Sequence, residues 1–511
     1  MRLREQRERL QARVAQLRQG KATVPVTDAN AAQRIKEFDD QLGDAAGDLV
    51  AVEEQLWRDY PRFMELANPR PVTAEDLQKR LLRPGEALLS YVLLPQETVI
   101  FAVTREQFRM VLVPVRRSVL ADRIHLIRRA IDKVAVGESV LFLREIEPEM
   151  LHAFYRDLFA PVAQTVAGAQ KILVVADGPL QTLPFELFAT HYGPEDKAAF
   201  ERARAESDGS AARPFLQEYA GLSYLGQAQR FAYLPSLSAL TSQRLYPKRA
   251  ALSKVDLVAF ADPDFSPDAS HAMPGGTVKA LSLLNVGFTR GAGGAPSLPR
   301  LAETADEAKQ IAQVLGGRTE LFVGPQAQER TAKAGELRNA RFVLFATHGF
   351  LGGEYIASDV PAEEGERPSR PQGQPSLALT LVGDLKGEDG LLTMKEVIED
   401  LELNADLVAL SACNTAGETA QANNGEGFAG LTRAFMYAGA KSLLVSHWSV
   451  DSLSTQTLMT STFRNIKAGM PVLSAVNDAQ RHLLGGSYTR GPYHFSRANP
   501  FFWAAFVYVG D

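Results

Sequence analysis

From Asp256 onward the chain alternates short apolar runs with amphipathic helical stretches, and this alternation limits the fold more than any other feature. The runs are Asp256–Phe260, Glu320–Val323, Phe342–Thr347, Leu407–Ala412, Ser442–His447 and Ala504–Val509. Helical patterns cover Ala305–Leu315, Arg330–Leu337, Met394–Leu401, Gly427–Tyr437, Ser454–Lys467 and Val472–Leu484. The pattern predicts a largely parallel sheet with helices on both faces. In open sheets of this kind, sites lie at the carboxyl ends of the strands.

The segment before Asp256 reads differently. Residues 1–82 form a helical N-terminal extension in which Ile35, Phe38, Leu42, Ala45, Leu49, Val52 and Leu56 recur at three- and four-residue spacing. Gly43 and Gly47 weaken that seam, so a helical hairpin packed on its own chain is preferred to an oligomerising coil. Thr73 has the chemistry of an N-cap for a helix through Leu82. From Arg83, three β-rich runs (Ala87–Leu94, Thr98–Val103, Phe108–Val113) precede helical stretches and a strand at Lys171–Ala176. Residues 190–232, charged and rich in Ala and Arg, read as an elaborated surface segment. The resulting plan is 1–82, a first half at 83–250 and a second half at 251–511.

Composition narrows the function classes. The net charge of −5 and a pI near 6.0 give no case for nucleic acid as the main partner. One cysteine in 511 residues excludes an internal disulfide framework. The charged start Met1-Arg2-Leu3-Arg4-Glu5 lacks a secretory h-region, and the stretch Phe501–Val509 is too short to span a bilayer. The expectation is a cytoplasmic protein, not a membrane one, in a reducing compartment.

That single cysteine, Cys413, stands at the exit of one apolar run, and His348 stands at the exit of another. Singly, such a cysteine is ordinarily a packed small hydrophobe and such a histidine is structural. Together, with small residues behind each and a long Gly/Pro-rich loop (Leu351–Asp389) between them, they are the parts of a nucleophile and its base. The backbone N–H groups of Gly349 and Cys413 are the natural oxyanion donors. No Cys/His cluster has metal-ligand spacing and no phosphate loop is present, so no metal and no cofactor are expected. His447 ends the strand Ser442–Ser446 and has two readings, lining the site or hydrogen bonding to a neighbouring loop.

Thr347-His348-Gly349 and Leu410-Ser411-Ala412-Cys413-Asn414-Thr415 resemble the His and Cys motifs of CHAT domains, clan CD-type caspase- and separase-like peptidases of bacteria, often fused to tetratricopeptide repeats. Further motifs resemble the family at Asp177-Gly178, Leu183-Pro184-Phe185-Glu186, Pro235–Leu240, Asp262-Pro263-Asp264-Phe265, and Leu298-Pro299 with Glu303 and Glu307. Gly390–Thr393, Gly427–Ala440, Trp448–Asp451 and Phe502–Phe506 continue the series, which covers residues 83–511.

The resemblance implies an α/β, caspase-haemoglobinase-like fold: a parallel-rich sheet flanked by helices, with a degenerate caspase-like first half. It implies a regulated cysteine endopeptidase (a thiol protease) with His348 and Cys413 catalytic, acting on specific partner proteins in bacterial defence or stress. It also implies an activating protein partner or self-cleavage in the long loop. Asp451 is a substrate-binding candidate for a basic side chain, although a charge near a helix N-terminus is the plainer reading. The alternative is a CHAT scaffold whose dyad is idle. No recognisable tetratricopeptide array precedes the motifs, and no oligomeric state is implied.

Overall fold

The computed structural model describes residues 2–24, 30–61, 63–64, 68, 70–135, 138–246, 253–265, 289–290, 296–298, 300–350, 375–385, 387–411, 426–448 and 452–511. It divides into two compact units, Met1–Val72 with Ser238–Pro247, and Thr73–Leu237 with Lys248–Asp511.

In the first unit, helices α1 (Arg2–Ala22) and α2 (Ala31–Asp59) pack on each other. The seam of α2 buries Ala45, Val52 and Leu56, and Arg7 pairs with Glu53 at 2.9 Å across the two helices. Gly20 permits the close approach, since a Cβ there would lie 2.8 Å from the Phe38 ring. The three- and four-residue spacing in α2 therefore finds its partner helix within the chain, as a hairpin.

The second unit contains β1 (Glu86–Leu93), β2 (Thr98–Val103), β3 (Phe108–Val113), β4 (Lys171–Val175), β5 (Phe231–Tyr233), β6 (Val255–Ala261), β7 (Thr319–Val323) and β8 (Ala340–Ala346). It continues with β9 (His348–Phe350), β10 (Ser376–Ala378), β11 (Leu391–Thr393), β12 (Leu407–Leu410), β13 (Ser442–Ser446), β14 (Ser487–Arg490), β15 (Tyr493–Ser496) and β16 (Phe506–Gly510). Among the described residues, eleven of these form one sheet in the order β3-β2-β1-β4-β5-β16-β13-β12-β8-β6-β7. Strands β7, β6, β8, β12 and β13 form one parallel block, and β1, β4, β5 and β16 form another. Where the blocks meet, β16 runs antiparallel to β13. The two blocks therefore send their carboxyl ends to opposite edges of the sheet.

Helices α3 (Arg117–Ala135), α4 (Ala302–Leu315), α5 (Glu329–Lys333), α6 (Met394–Glu399), α7 (Glu426–Ala438), α8 (Ser452–Lys467) and α9 (Val472–Leu484) accompany the sheet. Both faces are covered. Phe342 of β8 meets Phe463 of α8, and Phe345, on the opposite face because side chains alternate, meets Phe435 of α7. On that second face Phe322, Phe260 and Phe345 stack at 5.1 Å steps across three strands. The sequence expectation of a parallel-rich α/β sheet flanked by helices is met.

Two expectations need correction. Residues 190–232 are not wholly a surface elaboration, because they end in β5, whose residues are buried in the middle of the sheet. Three residues are too few to show a period in the sequence. The loop expected over Leu351–Asp389 also contains a strand, β10. Thr73 does cap its helix, in a capping box with Asp76.

The first block carries a buried acid. Tyr233 donates to Glu186 Oε2 at 2.6 Å, and the Phe185 N–H donates to the Tyr233 hydroxyl at 2.7 Å. Burial pushes the Glu186 carboxyl up to about 7 from its ordinary 4.5, and the Tyr233 bond only partly offsets this. The folded state thus binds this proton more tightly than the unfolded chain. Its stabilising contribution, about 3 kcal/mol, is complete below pH 4.5 and is lost as pH rises through about 7. Thermal melts across this window should show wild-type stability falling as pH rises. Glu186→Gln, neutral throughout, should remove the Glu186 share of that fall, and an unchanged pH slope would refute the assignment.

Candidate active site

β8 and β12 are paired in parallel, with Phe342 opposite Leu407 and Phe345 opposite Leu410. His348 is the third residue after Phe345, and Cys413 is the third after Leu410. His348 opens β9, which pairs antiparallel with β10 so that His348 faces Ala378 and Gly349 faces Leu377. The Thr347 hydroxyl donates to the Ala378 carbonyl and ties the two strands at the turn out of β8. The His348 side chain is 1% exposed, and its ring lies 5.1 Å from that of Phe265. Phe265 belongs to an apolar cluster with Leu298, Phe350 and Ala378. A small sheet and an aromatic wall thus fix the imidazole, rather than a loop. Cys413, Asp451 and residues 351–374 lie outside the described residues.

The Phe265 wall is anchored at its root by Asp262, the residue after β6. Asp262 is buried in a left-handed conformation (φ +47°) and binds Arg300 through two hydrogen bonds of 2.9 and 2.6 Å. Its N–H donates to the Thr304 hydroxyl at 2.8 Å. Asp tolerates this backbone region better than most side chains, and the ion pair offsets the cost of burying its charge.

The neighbouring strand end, after β13, is held by both halves of the sheet. The His447 N–H donates to the Ala505 carbonyl at 2.8 Å, and the His447 carbonyl accepts from Arg128 of α3. That guanidinium also stands 5.9 Å over the ring of Trp448, whose indole N–H donates to the Phe501 carbonyl at 2.9 Å. The His447 side chain is buried.

A cluster that sequence reasoning missed supports the small sheet. Lys333 of α5 lies 2.5 Å from Glu329, 2.8 Å from Glu396, 2.9 Å from Glu388 and 3.5 Å from Asp400. Oxygens of Glu329, Glu388 and Glu396 come within 4.8 Å of one another, a spacing that could suit a cation, but the ammonium already occupies their midst. Glu329 also accepts from the Gly390 N–H at 2.9 Å, next to β11. Burial, together with the two neighbouring carboxylates, pushes Glu329 up to about 8. Burial opposes the charge of Glu396 as well, but the bonds from Lys333 and Thr393 bring it down to about 2. Glu329 and Lys333 are four apart, but Glu388, Glu396 and Asp400 lie more than fifty residues on, so no local spacing signals the whole cluster.

The model of the CHAT domain family matches residues 148–511, well over half of the chain. The chain is a CHAT-domain protein. Human tetratricopeptide repeat protein 28 is 23% identical over 385 residues, which amount to 71% of this chain and 13% of that protein. Among solved structures, separase in the Saccharomyces cerevisiae separase–securin complex is similar with a TM-score of 0.45 and 9% identity, over 98% of this chain and 37% of the other. The Arg-specific cysteine proteinase gingipain R gives 0.36 and 8%, over 76% and 74%. The family match begins at Pro148, downstream of residue 83, where the motif series starts. Among the described residues, no helix is long and apolar enough to cross a membrane.

In this CHAT domain the Lys333 cage is the ionic support of β11, and through β10 of the strand that carries His348. Lys333→Met should leave Glu388 and Glu396 repelling each other beside Glu329 and cost about 3 kcal/mol at neutral pH. Much of that loss should return in acid, where the carboxylates take up protons. Denaturant titrations at neutral pH and about pH 4 check this, and an equal loss at both would refute it.

Proposed function

We propose that this protein is a cysteine endopeptidase in which Cys413 is the nucleophile and His348 the base and acid. The single observation that supports the reading is the parallel register of β8 and β12, in which Phe345 pairs with Leu410, each three residues before His348 or Cys413 in the sequence. His348 takes the thiol proton, and the thiolate attacks the peptide carbonyl to give a tetrahedral oxyanion. The N–H groups of Gly349 and Cys413 receive that charge. The intermediate collapses with cleavage of the C–N bond, His348 gives its proton to the leaving amine, and water then hydrolyses the thioacyl enzyme. This chemistry uses no metal or cofactor.

Specificity is assigned to the segment after β13, with Asp451 receiving a basic side chain and His447 beside it. The substrates are one or a few partner proteins, with activation by a protein partner or by cleavage in 351–374, in a cytoplasmic defence or stress response. The first half, 83–250, serves as a non-catalytic support for 251–511, and 1–82 as a helical extension. The rival is a scaffold with an idle dyad, and the burial of His348 is the observation that favours it.

The test incubates wild type, Cys413→Ala and His348→Ala with proteins encoded nearby and follows defined fragments. Either variant should slow cleavage by at least about a thousandfold. Equal fragment yields from Cys413→Ala, or no wild-type cleavage under any activating condition, would overturn the endopeptidase reading.

A further inference from the structure

Among the described residues, β3 is the last strand at one edge of the eleven-stranded sheet. It carries Phe108, Met110 and Leu112 on one face, and they are exposed by 51%, 54% and 54%. The opposite edge differs, since all five residues of β7 are half-buried. The bare face of β3 continues inward through Val99 to Val92 of β1, itself 39% exposed. It also includes Phe101, whose ring lies 6.3 Å from that of Phe108. Edge strands of monomers are ordinarily guarded by proline, a bulge or charges. β3 pairs with β2 over six residues without a bulge, holds no proline, and has its one charge, Arg109, on the other face.

The backbone along this edge is set for a partner as well. Bonded and non-bonded pairs alternate along an antiparallel ladder. The Thr104 N–H donates to the Gln107 carbonyl at 2.8 Å at the turn between β2 and β3. The bonded pairs beyond it are therefore Ala102 with Arg109, Ile100 with Val111 and Thr98 with Val113. The N–H and C=O groups of Phe108, Met110 and Leu112 point the other way, to the open edge. The three residues that bare apolar side chains thus also bare backbone donors and acceptors.

We propose that β3 is the interface for a second copy of this chain, joined edge to edge about a two-fold axis at Met110. An antiparallel partner must set outward-facing residues against outward-facing residues, and the register centred on Met110 is the one that uses all three. The two copies of Met110 then face each other, and Phe108 of each copy meets Leu112 of the other. Arg109 meets Val111, so no like charges stand opposite each other within the paired strands. A contact one strand wide is smaller than a standard interface, so the dimer should dissociate on dilution.

Sedimentation of the full-length protein over a concentration series should show monomer passing to dimer. Met110→Lys, which sets two ammonium groups face to face at the axis, should weaken association at least about tenfold. Because Met110 is exposed, the melting temperature of this variant should match that of wild type. The register is read by oxidative cross-linking in the Cys413→Ala background, where an introduced thiol is alone in each chain. Met110→Cys puts the two thiols on opposed residues with Cα atoms about 5.5 Å apart, within disulfide range. Phe108→Cys leaves them four residues, about 13 Å, apart along the strands. Met110→Cys should therefore form the covalent dimer at least about tenfold faster. A wild type that stays monomeric at every concentration would overturn the proposal and leave the edge to a strand of another protein. A dimer that Met110→Lys leaves intact, or equal cross-linking by the two cysteines, would overturn it by placing the contact on another surface.

Discussion

The pairing of β8 with β12 is the contact on which the site depends, and packing on both faces of the sheet fixes it. Phe342 of β8 is seated against Phe463 on one face and Phe345 against Phe435 on the other. A slip of one residue would exchange these faces. A slip of two would restore the faces but carry the end of one strand about 6.6 Å past the other, beyond any hydrogen bond between a thiol and an imidazole. The register of the two strand ends is therefore set in part by aromatic core contacts, while local contacts hold the His348 ring.

The second constraint is the reversal at β16. Because the blocks on either side run in opposite directions, the motifs of the first block cannot stand at the edge that holds His348. Their contacts are correspondingly internal. Asp177 accepts from the Leu93 N–H at 2.8 Å, and Glu186 is bonded to Tyr233. What the first half gives to the site comes from a helix instead, as Arg128 of α3 reaches the carbonyl of His447. This contact between the two blocks lies at the exit of β13.

Sequence pattern revealed the fold wherever a run was long and local. The apolar runs that became β6, β8, β12 and β13 needed only composition and spacing, and the capping chemistry of Thr73 stood in four consecutive residues. What escaped was short or distant. Phe231–Tyr233 has too few residues to show a period, and Ser376–Ala378 becomes a strand by pairing with His348–Phe350 on one side and Leu391–Thr393 on the other. The Lys333 cage draws on Glu329, Glu388, Glu396 and Asp400, which no window of sequence holds together. At the site, His348 and Gly349 fall where the pattern put them, at the carboxyl edge of the parallel block. That His348 begins a new strand was not legible, because its partner strand follows a long insertion.

A chain with a single thiol can form no internal disulfide, so the strand ends of the parallel block are held by non-covalent restraint. Backbone pairing of β12 with β8 and β13 extends through Leu410. Ser411, the next residue, is buried. His348 is over-determined by contrast, with β-pairing to Ala378, the Thr347 tie and the Phe265 wall all acting on it. His348 is thus held by strand pairing, by the turn before it and by an aromatic neighbour at once.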